Sequence, residues 1–459
     1  MDGTRSFDIL NLTPNVMKPE QSSDLIEIYF RSLESLDPAG LISRKLSIKN
    51  GHLVIGSIEL PLYEGTHIWV LGAGKAAASM AKGIEDVLNV GIRDGMVIVP
   101  EGQPQITSTI QQFKGEHPLP GPNSLAATLE LMNLAKKVTP GDIVLFLLSG
   151  GASALLEYPA DDIELEDLVL TGELLLNSGA DITEMNTVRK HISSVKGGSF
   201  LRHLRYARVL NLIISDVPGN DVSAVGSGPT NPDPTTFADA WNILEKYNLT
   251  ERLPKAVTGH IIKGADGLIQ DTPKPGEPLD CEVYNHILAT SADMAESVKR
   301  KLRSAGFSAR GSGKAYSGSI EEVADAVFKD ILKIQDKAET LKKPIALVYH
   351  GESYVKVTGN GKGGRNTEFA LRIAEKISGM DNIVFLSAAT DGSDGNTGAA
   401  GAICTGKTAL LGEQLNMNIS HYISDNDSWS YFKALGHIIH TGPTGNNLMD
   451  LQIAIIGTS

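Results

Sequence analysis

His67-Ile68-Trp69-Val70-Leu71 runs directly into Gly72-Ala73-Gly74-Lys75-Ala76-Ala77-Ala78. The first five residues suit a strand, the glycines a tight turn, and the alanines a helix. The same switch recurs where Ile143–Leu148 leads into Ser149-Gly150-Gly151-Ala152-Ser153-Ala154, and Val209–Ser215 ends at Asp216-Val217-Pro218-Gly219. A further strand is expected at Gly95–Val99. Helices are expected over Ser22–Ser35, Lys75–Val87, Ser124–Lys137, Glu166–Ser178, Asp181–Val195 and Thr236–Tyr247. Strands alternating with amphipathic helices predict an α/β protein with a mostly parallel sheet.

At 459 residues the chain exceeds the length at which one core stops growing, so two domains are expected. Pro254, Pro273, Pro275 and Pro278 mark a turn-rich stretch, and the division is placed at 1–255 and 256–459. Beyond it the sequence predicts strands at Tyr284–Thr290, Ile345–His350, Tyr354–Thr358, Ile383–Ala388 and Gln452–Ile456. Helices are predicted at Met294–Ala305, Ile320–Glu339 and Asn366–Ile377. The two strands flanking Gly351-Glu352-Ser353 read as a hairpin within a mixed sheet.

The composition is that of a globular protein, with 41% hydrophobic and 21% charged residues. A formal charge of −13 argues against general binding to nucleic acid or to a membrane surface. Cys281 and Cys404 are the two cysteines, which makes neither a disulfide framework nor a cysteine zinc site. Met1–Asp8 carries no apolar signal, no apolar run reaches bilayer length, and a cytoplasmic location is expected.

Within this acidic chain, Gly359-Asn360-Gly361-Lys362-Gly363-Gly364-Arg365-Asn366 gathers four glycines and two cations before a helix. Glycines free backbone amides to converge, a helix start adds its own, and Arg365 offers a planar fork: the loop reads as an anion site, with a flexible basic hairpin as its rival. The first glycine turn, with Gly72 and Gly74, resembles a dinucleotide fingerprint but lacks the ribose-binding acid, since Glu101 comes too late. Lys75 sets a point charge on the first helical turn, where phosphate or a developing oxyanion collects. Ser149, Gly150, Gly151 and Ser153 offer amides and hydroxyls to phosphate oxygens without the Walker pattern. Asp216 ends a strand, where α/β proteins place ligand contacts, and reads as a general base or metal organiser. Asp391 and Asp394 in Thr390-Asp-Gly-Ser-Asp-Gly395 suit a magnesium ion shared with phosphates, or a simple glycine turn. Of Arg189, Lys190 and Lys196, one is a candidate partner for a substrate carboxylate, against a solvated cationic face.

Together these segments resemble the class II glycerate kinases. The resemblance rests on Gly72-Ala-Gly-Lys75, Leu148-Ser-Gly-Gly-Ala-Ser153, Asn186-Thr-Val-Arg-Lys-His191 with Lys196-Gly-Gly198, and Ser215-Asp-Val-Pro-Gly219. Gly228-Pro-Thr-x-Pro-Asp-Pro-Thr-Thr236, Gly363-Gly-Arg-Asn366, Thr390-Asp-Gly392 and Thr441-Gly-Pro-Thr-Gly445 complete it. It implies a Rossmann-like N-terminal half, a C-terminal domain of the family's own, and a site in the cleft between them. It implies ATP- and Mg2+-dependent phosphorylation of D-glycerate, usually at the 2-hydroxyl, with Lys75 and Arg365 in the reaction. Thr367, Gly398 and Asn220 depart from the family's commoner Gln, Asp and Asp. A homodimer is among the assemblies allowed. The alternatives are a nicotinamide-dependent hydroxypyruvate reductase and a sugar-acid-binding protein without turnover.

Overall fold

The computed structural model describes residues 19–88, 91–311, 313–341 and 343–457. The signal-peptide reading of Met1–Asp8 lies outside the described residues. The chain divides into two compact units, Pro38–Ala289 and Met1–Asp37 with Thr290–Ser459. This differs from the expected 1–255 and 256–459 at both ends. Helix Lys255–Ala265 packs on Phe237–Lys246, and strand Glu282–Thr290 joins the first unit's sheet beside Arg208–Ser215, so the proline-rich stretch lies inside that unit. Helix Pro19–Ser35 belongs to the other unit, where it packs on Ser291–Ser304 and the buried Tyr29 hydroxyl donates to the Ala389 carbonyl at 2.8 Å.

The Pro38–Ala289 unit is built on a six-stranded sheet. Its order is Gln111–Gly115, Ile92–Pro100, Ile68–Ala73, Ile143–Leu148, Arg208–Ser215, Glu282–Thr290. The first five strands are parallel. In chain order this is 3-2-1-4-5-6, the Rossmann arrangement, and the sense of winding reverses between Ile68–Ala73 and Ile143–Leu148. Every residue of Ile143–Leu148 is buried, as a strand covered by helices on both faces requires. Phe146 stands edge-on to Phe200 in the core of this sheet. A small antiparallel sheet, Leu46–Lys49, His52–Ile55 and Ile58–Pro61, has no counterpart in the sequence reading, because its four-residue strands carry too few alternations to register.

The other unit holds a mixed sheet ordered Ser308–Gly311, Ile345–Tyr354, Asp450–Ile456, Ile383–Ala389, Gly401–Thr405, Ile438–Ile439, with Tyr316–Ser319 also paired to Ile345–Tyr354. The expected hairpin at Gly351-Glu352-Ser353 does not form. Ile345–Tyr354 continues as one ten-residue strand, antiparallel to Asp450–Ile456 and parallel to Tyr316–Ser319. Gly351 allows this because a Cβ there would lie 2.2 Å from the Tyr316 carbonyl oxygen, so its bare backbone serves strand contact.

His437 is buried in this unit with its Nδ1 lacking a partner among the described residues, and burial holds the imidazole down to about 4. A histidine whose folded pKa is depressed leaves the unfolded chain to take up protons first, so stability is full above the ordinary value near 6.5 and falls as pH drops toward 4. About 2 kcal/mol should be lost at pH 5 through this group. Urea unfolding at pH 7 and pH 5 should therefore show a smaller acid loss in His437→Phe than in the wild type; parallel losses would remove His437 as the cause.

Candidate active site

The two glycine turns of the Rossmann sheet meet at its carboxyl edge, where the winding reverses. Gly72 lies inside the strand rather than in the turn: a Cβ there would sit 2.3 Å from the Leu147 carbonyl oxygen, so glycine serves strand-to-strand approach. Gly74 makes the turn at φ +134°, against Ser149. The amides of the turn are spent within the protein. Gly74 donates to Ile98 at 3.1 Å, Lys75 to Gly150 at 2.9 Å, and Ala76 to the Ser149 hydroxyl at 3.0 Å. Ser149, expected to face phosphate, is instead wholly buried and clamps one turn to the other. A dinucleotide fingerprint needs this turn open to a pyrophosphate, and here it is closed.

The second turn differs. Among the described residues the amides of Gly150, Gly151 and Ser153 have no acceptor, and Gly151 adopts φ +84°. A left-handed residue between free amides forms a concavity suited to an anion. The Lys75 side chain passes close by, its Cγ 3.4 Å from where a Gly151 Cβ would lie. Ser153 is half-buried, and its hydroxyl pairs with that of Ser227 at 2.8 Å. Asp216 directly follows strand Arg208–Ser215, the neighbour of Ile143–Leu148, and is half-buried at the same edge. Asp221, by contrast, closes an Asx turn onto Ser223.

The glycine-rich loop of the other unit is not the anion cradle its composition suggests. None of Gly359, Gly361, Gly363 and Gly364 has positive φ. Their amides and those between them are taken: Thr358 and Gly359 by the Asn426 side chain, Asn360 by the Asp425 carboxylate, Gly361 by the Asp425 carbonyl, Lys362 by Asp427, Gly364 by Thr367. A Cβ would lie 2.3 Å from Asp425 backbone at Gly359 and 2.4 Å from Ser428 Oγ at Gly363. These glycines let the loop lie flat on residues 425–428. Lys362 rests over the Trp429 ring, 5.4 Å from its centroid.

The tight loop aims Arg365, the first residue of helix Arg365–Lys376. Its guanidinium grips the buried Asp450 through Nε and, at 3.2 Å, Nη2, and Glu352 through Nη1 at 2.5 Å. Burial disfavours the Arg365 charge, yet Asp450 and Glu352 outweigh it and hold the group above its ordinary range. Asp450 is itself pushed up by burial, against the pull of Arg365. With two carboxylates beside it, Arg365 supplies oriented donors rather than unbalanced charge. Among the described residues three of its five N–H donors are engaged, which leaves two. Asp450 and Glu352 went unnoticed in the sequence; the available signal was a carboxylate at the mouth of the apolar run Leu451–Ile456.

Asp394 does not fit a metal ligand. Its Oδ1 accepts the Asn366 amide at 2.7 Å, and its Oδ2 the Thr367 amide at 2.8 Å and hydroxyl at 2.7 Å. It caps the helix that carries Arg365, satisfying amides that have no partner within the helix. Burial lifts its pKa to about 6, against these donors. Asp391 is half-buried, accepts the Ser393 amide, and acts electrostatically on Arg365 and Asp450. No group of three His, Cys, Asp or Glu side chains among the described residues is arranged to hold a metal ion.

If Asp394 is a cap, Asp394→Ala should lower stability by about 1–3 kcal/mol in the presence of a metal chelator. Thermal unfolding in EDTA reads this directly. A variant that loses stability only when Mg2+ is present in the wild-type comparison would restore the metal role.

The comparisons with known proteins cover both units. Residues 24–262 match the model described as Domain of unknown function (DUF4147), and residues 345–450 match the MOFRL family. The chain is 35% identical over 438 residues to a glycerate 2-kinase of Pyrococcus horikoshii, spanning 94% of this chain and 98% of that one. It is 35% identical over 390 residues to a putative hydroxypyruvate reductase of Agrobacterium vitis, spanning 84% and 87%. The crystal structure of a glycerate kinase from Thermotoga maritima superposes with a TM-score of 0.81 at 34% identity, over 95% of this chain and all of that one. A match of this identity along nearly the whole chain, in sequence and in fold, shows that the protein belongs to the glycerate kinase family.

Proposed function

We propose that this protein transfers the terminal phosphoryl group of ATP to D-glycerate, at the 2-hydroxyl, giving 2-phosphoglycerate and ADP. The observation that carries this reading within the molecule is the Gly150–Ser153 turn. It holds amides without an acceptor among the described residues at the carboxyl edge of a Rossmann sheet, beside Lys75 and in the same edge as Asp216. Family membership supplies the reaction class, and the Pyrococcus relative's name supplies the 2-position.

Phosphoryl transfer asks a protein for positioning and charge rather than covalent chemistry. The Gly150, Gly151 and Ser153 amides hold phosphate oxygens, and Lys75 offsets their charge. Asp216 accepts the proton of the attacking hydroxyl. Arg365, fixed by Asp450 and Glu352, presents its two remaining donors to oxygen atoms of the reacting groups. Mg2+ neutralises nucleotide phosphates when bound. Asp394 is committed to its helix, so Asp391 is the remaining carboxylate of that pair, which suits an ion carried mainly by the phosphates.

The nicotinamide reading draws on the same sheet but loses its turn. Gly72 is inside the strand, and the amides after Gly74 are already bonded.

Incubation with ATP, Mg2+ and D-glycerate should give a 2-phosphoglycerate signal in ³¹P NMR. Lys75→Ala and Arg365→Ala should each lower kcat by about 10²-fold or more, the scale for removing one preorganised charge or donor. Near-normal turnover in both would sink the assignment. Oxidation of a reduced nicotinamide with hydroxypyruvate would support the reductase, and stabilisation by glycerate without ADP release would support a binding protein.

A further inference from the structure

The cationic stretch Arg189-Lys190-His191 and the nearby Lys196 occupy quite different environments. Lys190 is buried and paired with Asp233 at 3.1 Å. His191 is enclosed between the Thr187 carbonyl and Asp271. Lys196 is fully buried and donates to the Ser153 and Leu156 carbonyl oxygens at 2.8 and 3.2 Å and to Glu157 at 2.7 Å. Three of the four are therefore structural.

Arg189 is the exception. It sits in the last turn of helix Ile182–His191, half-buried, and among the described residues its guanidinium has no hydrogen bond and no ion pair within 4.0 Å. It lines a small pocket of about 70 Å³ with Pro118, Pro120, Ser153, Glu157, Leu168 and Ile192. That is room for about five water-sized groups, the scale of a three-carbon acid. Gly172, on helix Leu165–Ser178, also lines the pocket, and a Cβ there would make only an ordinary contact with Arg189 Nη2, at 3.6 Å.

The charges at this pocket do not cancel. Arg189 and Lys196 bring two positive charges to the single carboxylate of Glu157, which is already bonded to Lys196 and to the Ser193 hydroxyl at 2.6 Å. Burial presses the Arg189 guanidinium down, with Glu157 pulling the other way, and Arg189 in turn bears on Lys196. One anion beside Arg189 would remove the imbalance. Ser153 belongs both to this pocket and to the turn with free amides, so a phosphate cradle and an unpaired arginine adjoin within one unit. A reaction between a polyphosphate and a hydroxy acid needs two such anion positions.

We infer that Arg189 binds the carboxylate of the acid substrate, its fork taking both oxygens while Lys196 and Glu157 hold the turn beneath. Arg189 thereby selects small 2-hydroxy acids over their uncharged analogues. This rests on the glycerate reading above.

The test compares wild type, Arg189→Lys, Arg189→Gln and Arg189→Ala on D-glycerate and on glyceramide, its uncharged isostere. Removing a charge-assisted pair should raise KM for D-glycerate by about 10- to 100-fold in R189A and R189Q, with R189K between, and leave KM for ATP unchanged. The wild type should prefer glycerate to glyceramide, and R189A should lose most of that preference. An unchanged glycerate KM in an active variant overturns the inference, as does a rise confined to ATP. Calorimetric titration of D-glycerate into each protein without nucleotide reads binding independently of turnover. A wild type that binds glycerate but forms no ADP would count against the kinase reading alone, and Arg189 would still stand or fall on whether R189Q and R189K bind more weakly.

Discussion

A buried backbone amide must find an acceptor, and the distribution of satisfied amides organises both units of this protein. Gly74, Lys75 and Ala76 donate to a neighbouring strand and turn, and residues 358–362 donate to the segment at 425–427. Asn366 and Thr367 donate to Asp394. Each of these sites looks like an anion cradle in composition and behaves as a joint. The exception is the turn after Ile143–Leu148, where three amides carry no protein acceptor among the described residues. The winding of the Rossmann sheet reverses beside that turn, and this is where such sheets take their ligands.

Charge follows a similar division. Arg365 stands out in the sequence, yet Asp450 and Glu352 match its charge and turn it into a held pair of donors. Lys190 and Lys196 are committed to buried carboxylates and carbonyl groups. Arg189, one residue from Lys190, keeps unbalanced charge over a small pocket. Four cations that are interchangeable in composition thus separate into joints, a positioned donor and one candidate anchor.

Much of the architecture was legible in the chain. Ile143–Leu148 was read at its observed bounds, and most of the expected helices appear within a few residues, because long periodic segments report their own burial. The hairpin at Gly351 was misread since a glycine in a strand marks either a turn or a close neighbour, and the neighbour, Tyr316, is 35 residues away in sequence. The division into units escaped for the same reason. Prolines signal turns but not which sheet the flanking strands join.

The sequence by itself determined the α/β class, the strand-to-helix switches, the family and the residues worth suspecting, since these depend on local period, residue chemistry and motif order. Only the tertiary structure decided which suspects were already employed. A glycine's purpose is set by what lies where its Cβ would be, an aspartate's by which amides point at it, and an arginine's by whether a carboxylate from a distant strand reaches it first. Asp394, Ser149 and Arg365 turn on contacts of that kind, made between residues tens of positions apart, and Arg189 on having none among the described residues.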